Sequence, residues 1–452
     1  MDRRIKGTCI DYTHDGKGVI KINKIPTFVP DLIVGEEAEV LITKKDKGFN
    51  LGRRLELLSV SEKRIKPLCP NYKDCGGCQL QHMIYEEQLR FKQDRVREVL
   101  KRIGGVEIET PLIHGMDNPL RYRNKVQVPI GMTYDGTIVA GFFKKKSHQI
   151  IDMQECFIED VDADKLILTV KKLIQKFKIE PCEIHENRGI IRYVIVRKSF
   201  SNNDLMVVFV TRNEFFPKKD QLIKELVEKH PHVKTVVQNI NPSHTSVVLG
   251  NREKVLYGPG YIMDEICGLK FKISAHSFYQ VNPKQTEVLY SKAVEYASLT
   301  GKETVLDAYC GVGTIGLIAS KEAKKVIGVE LVASAIRDAK ENAKNNNINN
   351  ATFYNEDATK FILKEARERK TKYDVMFLDP PRDGCSQEFI NSVLSLEPQR
   401  VVYVSCDPSS LARDLKQLKT KYVVEKVECV DMFPQTYHVE TVCLLTNRSG
   451  RA

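Results

Sequence analysis

The chain has 452 residues and a formal net charge of +11, from 70 basic and 59 acidic side chains. That is enough length for two or three domains, and the basic excess favours a polyanionic partner, nucleic acid first among them. No apolar run is long enough to span a bilayer, and the opening MDRRIKGTCI lacks the apolar core of a signal peptide, so a membrane helix is excluded and the expected compartment is the cytoplasm. There the twelve cysteines read as metal ligands, a nucleophile and small buried residues rather than as disulfides.

Residues 1–60 predict short strands, Ile5–Ile10, Gly18–Ile22, Thr27–Val29 and Ala38–Thr43, broken by Asp15–Gly16 and Gly35–Glu36. Even spacing of short strands predicts a small β-barrel. Lys44, Lys45, Lys47, Arg53 and Arg54 give it a basic rim, as in nucleic-acid adaptors, although a solvated charge run reads the same way. Residues 61–80 carry Cys69, Cys75 and Cys78, and Met83–Arg102 predicts a charged amphipathic helix ended by Gly104–Gly105.

From 120 to about 270 the pattern is mostly strands, with helices near 162–178 and 217–229. Tyr122-Arg-Asn-Lys125, Phe142-Phe-Lys-Lys-Lys146 and Arg188-Gly-Ile-Ile-Arg192 interleave aromatic or apolar residues with cations, a mixture that stacks bases and neutralises phosphates. Each also reads as an ordinary strand with a solvated face. Together with Cys156, the three earlier cysteines form a set of four soft ligands. Spacing alone leaves zinc and an iron–sulfur cluster both open.

After 303, apolar strands alternate with helices: Thr304–Tyr309, Lys325–Glu330, Ala351–Asn355, Tyr373–Leu378 and Arg400–Ser405. This predicts a doubly wound parallel sheet, an α/β fold of Rossmann type. Two further strands, near Val423–Val430 and Thr441–Thr446, close it as an antiparallel pair. Open α/β sheets bind ligands beyond the carboxyl ends of their strands. Asp307, Glu330, Asp357, Asp379 and Cys406 fall there on five successive runs. In Asp307-Ala-Tyr-Cys-Gly-Val-Gly-Thr314, Gly311 and Gly313 allow close backbone approach, and Glu330 lies where an acid grips ribose hydroxyls. The third glycine of a dinucleotide site is missing, which disfavours a nicotinamide enzyme. The loop, followed by Asp379-Pro-Pro-Arg382, instead looks like the S-adenosylmethionine site of a class I methyltransferase.

Cys406, in Ser405-Cys-Asp-Pro408, follows a strand and precedes a helix whose N-terminus is expected to lower the thiol pKa. Such a cysteine can add to carbon 6 of a uracil and make carbon 5 enolate-like, after which a base must remove the carbon-5 proton. Glu440, in Phe433-Pro-Gln-Thr-Tyr-His-Val-Glu440, is the expected base, with His438 as the next candidate. Cys385 is a rival nucleophile in a loop, and Cys310 a packing residue.

Ser277-Phe-Tyr-Gln-Val-Asn282, the Asp307 loop, Gly328-Val-Glu330, Asp379-Pro-Pro-Arg382, Ser405-Cys-Asp-Pro408 and His438-Val-Glu440 occur in this order. Together they resemble the RNA uracil-C5 methyltransferase family, especially its 23S ribosomal RNA members, over almost the whole chain. The resemblance implies a TRAM domain of oligonucleotide-binding fold at 1–60, a mixed α+β RNA-binding region with the cysteine cluster at 61–270, whose helix at 84–103 is expected to pack on the catalytic domain, and a methyltransferase domain at 271–452. It implies Cys406 as nucleophile, Glu440 as base, and Gln280, Tyr309, Glu330 and Asp379 as cofactor-contacting positions; Gly311 and Thr314 join them from the loop, and Asp357 from its strand-end position. Relatives often have Phe at 309 and Asn at 314, so an aromatic face survives at the first position and the contact at the second is altered. It also implies a [4Fe-4S] cluster on Cys69, Cys75, Cys78 and Cys156. The implied partner is 23S ribosomal RNA, with no membrane and no obligate protein partner. Three alternatives stay open: a tRNA uracil-C5 methyltransferase, an amino-group methyltransferase in which Cys406 has no role, and a non-catalytic RNA-binding assembly factor.

Overall fold

The computed structural model describes residues 4–182, 188–243 and 247–451. Five strands, β1 (Arg4–Tyr12), β2 (Gly18–Ile22), β3 (Ile25–Val29), β4 (Glu37–Lys45) and β5 (Asn50–Leu57), close into a barrel in the order β1-β2-β3-β5-β4. Its small core is Cys9, Ile20, Val29, Leu32, Ala38 and Val40. The closing strand β5 carries Arg53, Arg54 and Glu56, and that charge density hides it from a hydrophobic-pattern reading.

Next come α1 (Tyr85–Val99), extended by one π-helical turn to Gly104, and the short strand β6 (Leu112–His114). The second sheet is built from β7 (Lys125–Met132), β8 (Ile138–Phe143), β9 (Ile150–Asp152), β10 (Ile191–Lys198), β11 (Leu205–Thr211), β12 (Val233–Ile240) and β13 (Arg252–Tyr257). Two helices, α2 (Val161–Lys176) and α3 (Lys219–Lys229), pack on it. Its interior strand β11 is buried at every position. Leu205, Val207 and Phe209 join the core under the helices, while Met206, Val208 and Val210 join the core of the C-terminal unit. The two-residue side-chain period thus lets one strand serve two cores, and it fixes the central sheet onto the unit that follows.

A hairpin, β14 (Ile262–Ile266) and β15 (Leu269–Ile273), leads into α4 (Pro283–Ala297). Then come β16 (Thr304–Asp307), α5 (Thr314–Ala319), β17 (Lys325–Glu330), α6 (Ala333–Asn345), β18 (Ala351–Asn355) and α7 (Ala358–Glu368). The chain ends with β19 (Val375–Leu378), α8 (Gln387–Leu396), β20 (Arg400–Ser405), α9 (Pro408–Leu418), β21 (Tyr422–Val430) and β22 (Glu440–Asn447). The sheet order is β18-β17-β16-β19-β20-β22-β21-β6. Strands β16 to β20 are parallel, and β22 runs antiparallel to both β20 and β21. The fold is therefore the expected one: a doubly wound parallel-sheet unit, a central sheet and an N-terminal barrel. The eighth strand, β6, comes from far upstream and pairs with β21. Among the described residues no helix is long and apolar enough to cross a membrane.

A buried ion pair anchors the barrel to the segment that follows it. Glu36 is fully buried, and Arg64 grips it through Nε (2.5 Å) and Nη2 (2.7 Å), with the Ile33 amide adding a third donor at 2.8 Å. Burial alone would raise the Glu36 pKa, but Arg64 and the amides hold it below the usual carboxylate range. Tyr12 continues the joint, its ring edge-on to Phe91 of α1 at 5.4 Å and its hydroxyl donating to Glu87 at 3.0 Å. Removing one partner of a buried pair strands the other. Arg64→Ala is therefore expected to cost about 3 kcal/mol, measured by urea unfolding. A loss below about 1 kcal/mol, the scale of an exposed pair, would show that Glu36 finds other compensation.

Candidate active site

The parallel strands end together, and the polar residues that follow them converge. A cavity of about 490 Å³ opens beyond their carboxyl ends, lined by Gln280, Tyr309, Gly311, Thr314, Glu330, Asp379, Cys406 and Glu440. The structure thus brings together eight of the nine residues expected to bind cofactor or carry chemistry. Asp357, the ninth, is not in the lining. Its carboxylate caps α7, accepting from the Lys360 amide at 3.0 Å. A strand-end position gave it the right height in the sheet but did not say which way the side chain turns.

The Asp307 loop is shaped by its glycines. Gly311 and Gly313 have φ of 53° and 84°, a left-handed conformation that side chains resist. Asp307 accepts from the Gly316 amide at 2.9 Å, and its other carboxylate oxygen is buried without a partner. Glu330 accepts from the Gly311 amide at 3.2 Å and the Val332 amide at 2.8 Å, so it fixes the loop while facing the cavity. Tyr309 stacks its ring against Phe389 with centroids 5.4 Å apart.

Cys406 follows β20 directly. Asp407 caps α9 by accepting from the Ser409 and Ser410 amides, both at 2.9 Å, and Pro408 occupies the first turn. The thiol pKa is not lowered as expected from the helix N-terminus. Burial, then the Glu440 and Asp379 carboxyls, push it up to about 11, and among the side chains nearby only Arg382 favours the thiolate. One helix end is outweighed by desolvation and two acids. Glu440 begins β22 and pairs with Val430 of β21. Burial and Asp379 raise its pKa to about 8, partly opposed by Arg382. Burial raises Asp379 to about 7, and Asp307 likewise, the latter also repelled by Asp379 and Glu330. His438 goes the other way, to about 4, through burial and the cations Arg382, Arg95 and Lys92.

Arg382 and Tyr290 were given no role by the sequence, and Asp307 only its strand-end position; all three line the cavity. Arg382 was legible as part of Asp379-Pro-Pro-Arg382. Tyr290 is a buried position on α4 with no motif to signal it. Cys385 is buried, absent from the lining, and pushed up to about 12 by burial and Asp414. Cys310 reaches the cavity but is buried.

A second cavity, of about 370 Å³, is lined by Cys69, Cys75, Cys78 and Cys156, with Arg123 and Lys125. Among the described residues no group of three or more His, Cys, Asp or Glu side chains is arranged to hold a metal ion. The donor set nonetheless suits a positively charged group. Burial pushes the Cys78 thiol up to about 12 and that of Cys156 higher still, so thiolates there need more positive charge than the protein supplies. Tyr122-Arg-Asn-Lys125 is therefore not a surface motif: Tyr122 and Asn124 are buried and the two cations face this cavity. Arg192 is also buried, donating to the Asn241 carbonyl at 3.0 Å. Lys144, Lys145 and Lys146 are exposed.

Residues 84–448 match the family model described as tRNA (Uracil-5-)-methyltransferase. An uncharacterized RNA methyltransferase of Halalkalibacterium halodurans is 46% identical over 98% of this chain and 96% of its own length. Another, from Clostridium tetani, is 47% identical over 95% and 94%. The crystal structure of the Pyrococcus abyssi tRNA (uracil-54, C5)-methyltransferase with S-adenosyl-L-homocysteine superposes with a TM-score of 0.78 at 27% identity. It covers 98% of this chain and 100% of that one.

The raised carboxyl pKa values carry a stability consequence. A carboxyl whose folded pKa lies above its unfolded value binds protons more tightly when folded, so stability falls as pH rises between the two values. For Glu440 that window runs from its ordinary 4.5 to about 8. Without ligand, Glu440→Gln is expected to flatten the decline in melting temperature across that window and to be more stable than the parent at its upper end. Parallel pH–melting curves for the two proteins would reject a buried, proton-holding Glu440.

Proposed function

This chain belongs to the RNA uracil-5 methyltransferase family, which transfers methyl from S-adenosylmethionine to carbon 5 of uridine in RNA, and we propose that its substrate is 23S ribosomal RNA. We propose further that Cys406 is the nucleophile, that Glu440 is the base, and that Gln280, Tyr309, Gly311, Thr314, Glu330 and Asp379 contact the cofactor. Asp357, at the end of β18, caps α7 through one carboxylate oxygen. The observation that carries this reading is that Cys406 and Glu440 share one cavity with the Asp307 loop. An amino-group methyltransferase would have no use for that pair, and a non-catalytic assembly factor no use for the cavity.

S-adenosylmethionine supplies an electrophilic methyl group on a cationic sulfur. Asp307, Asp379 and Glu440, driven toward their neutral forms by burial, regain charge beside a cation, so the empty cavity favours a positively charged ligand. Glu440 must be ionised to act as base, and a cation held in the cavity would favour that form. The Cys406 thiol gives its proton to water and adds as thiolate to carbon 6 of a uracil turned out of its stack, and the ring electrons move to carbon 5 as an enolate. Arg382 favours the thiolate. Once carbon 5 bears the methyl group, Glu440 takes its proton. The carbon 6–sulfur bond then breaks, and Cys406 leaves as thiolate.

Support for ribosomal RNA comes from the barrel and the four-cysteine cavity, features the sequence shares with the 23S-directed members it resembles. The second reading, tRNA, is supported by the full-length likeness to the P. abyssi enzyme, barrel included. In this reading residues 1–60 are the RNA adaptor, 61–270 a further RNA-binding region, and 271–452 the methyltransferase unit, with α1 and β6 added to it from upstream.

Transcribed 23S ribosomal RNA and tRNA, each incubated with the protein and labelled cofactor, separate these readings. The ribosomal transcript is expected to take the label; label confined to tRNA would move the assignment. On the accepted RNA, Cys406→Ala should bind but form no covalent complex. Glu440→Gln should accumulate a methylated, denaturant-resistant protein–RNA complex, because the thiol cannot leave before the proton does. An adduct through Cys385, or one persisting in Cys406→Ala, would displace Cys406.

We also propose that Cys69, Cys75, Cys78 and Cys156 hold a [4Fe-4S] cluster, which spaces its ligands more widely than a single ion does. Anaerobically purified protein is expected to be brown, with about four irons per chain. Stoichiometric zinc without iron would reject the cluster.

A further inference from the structure

One face of α1 is polar and yet buried. Tyr85, Gln88, Lys92 and Arg95 recur three or four residues apart, the spacing of a single helix face. All four reach toward residues 431–439, the connection between β21 and β22 that carries Phe433 and His438 and delivers Glu440. The Tyr85 hydroxyl donates to Asp431 at 2.8 Å. The Lys92 ammonium donates to the other Asp431 oxygen at 2.5 Å and to the Phe433 carbonyl at 3.1 Å. Gln88 exchanges two hydrogen bonds with Gln435, both at 3.0 Å. Arg95 donates to the Tyr437 carbonyl at 2.8 Å, and its guanidinium lies 4.0 Å from Asp407, the residue after Cys406.

Lys92 and Asp431 are both completely buried. A lysine is almost never fully buried without being paired. A well-packed apolar pair would commonly be as stable as a buried ion pair or more so. What the ion pair adds here is direction: Asp431 follows Val430, the residue that pairs with Glu440. Fixing Asp431 therefore fixes the end of the strand against which Glu440 is set, and the Phe433 contact fixes the next turn of the connection.

We propose that Lys92 is a positioning residue for methyl transfer: from α1, through Asp431 and the Phe433 carbonyl, it holds the 431–439 connection so that Glu440 faces the carbon that Cys406 has activated. The proposal rests on the assignment of Glu440 as base. Arg95 complements it by holding the Tyr437 carbonyl on the same connection and lying beside Asp407, the neighbour of Cys406.

The test uses the full chain with a mixture of transcribed 23S ribosomal RNA and tRNA, and three proteins: the parent, Glu440→Gln, and Lys92→Met combined with Asp431→Asn. The double variant removes both charges at once and so strands neither. It is expected to melt near the parent and to bind cofactor within about threefold of it, while kcat falls on the order of 10- to 100-fold and KM for RNA stays within about threefold. Because misplacing the base slows release more than attack, the double variant should also accumulate the denaturant-resistant protein–RNA complex. A lysine that served folding alone would lower melting temperature, cofactor binding and kcat together and trap nothing; that outcome overturns the proposal. So does parent-like turnover of the double variant while Glu440→Gln traps its complex. If Glu440→Gln itself traps nothing, the base assignment fails, and the role of Lys92 falls with it.

Discussion

A parallel strand can bury its backbone and its side chains, but the residue that ends it must turn out of the sheet. Five strands ending at one level therefore gather five turning points, and with them the polar residues that a buried strand excludes. The cavity depends on that constraint. Asp307 and Glu330 end β16 and β17, Asp379 and Cys406 follow β19 and β20, and Glu440 enters from the antiparallel strand beside them. Antiparallel β22 is what lets a strand start, rather than a strand end, contribute at the same edge.

The electrostatics follow from how little water the edge retains. Burial raises the pKa values of three acids that share the cavity with Arg382, so the site favours their protonated forms. A cationic ligand reverses that balance, and the group proposed as base gains its function when the ligand arrives. The Cys406 thiol obeys the same rule. Its place before a helix matters less than the carboxyls facing it, and its reactivity depends on their protonation as much as on the helix.

The alternation of strands and helices after 303, the register of their polar ends and the loop glycines were legible in the sequence, because each is a local pattern with a fixed period. Gly311, Glu330, Asp379 and Cys406 followed from them, whereas Gln280, Tyr309 and Thr314 came with the family resemblance. Of the contributions from distant segments, the packing of the helix at 84–103 on the C-terminal unit was expected, but its individual contacts were not legible. β6 is three residues long and has meaning only beside β21, more than 300 positions later. β5 hid behind Arg53, Arg54 and Glu56, which a barrel strand tolerates on its outer face. The polar stripe of α1 has the composition of a solvated face, and only its buried partners reveal otherwise. Asp357 caps α7 instead of lining the cavity, because position along a strand does not fix the direction of a side chain. Tyr122-Arg-Asn-Lys125 looked like a nucleic-acid surface because sequence carries no sign of which cations face a cavity.

The partner of Lys92 lies 339 residues downstream. During synthesis, α1 leaves the ribosome with a buried-type polar face and no acceptor for it, and β6 leaves as an edge without a neighbour. Neither is satisfied until β21 and the connection after it have been made, close to the end of the chain. Contacts so far apart in sequence carry a large loop-closure cost and form late. The methyltransferase sheet therefore cannot be completed vectorially, and chains cut short before Asp431 would expose an unpaired lysine and an open sheet edge, features by which quality control recognises an unfinished protein.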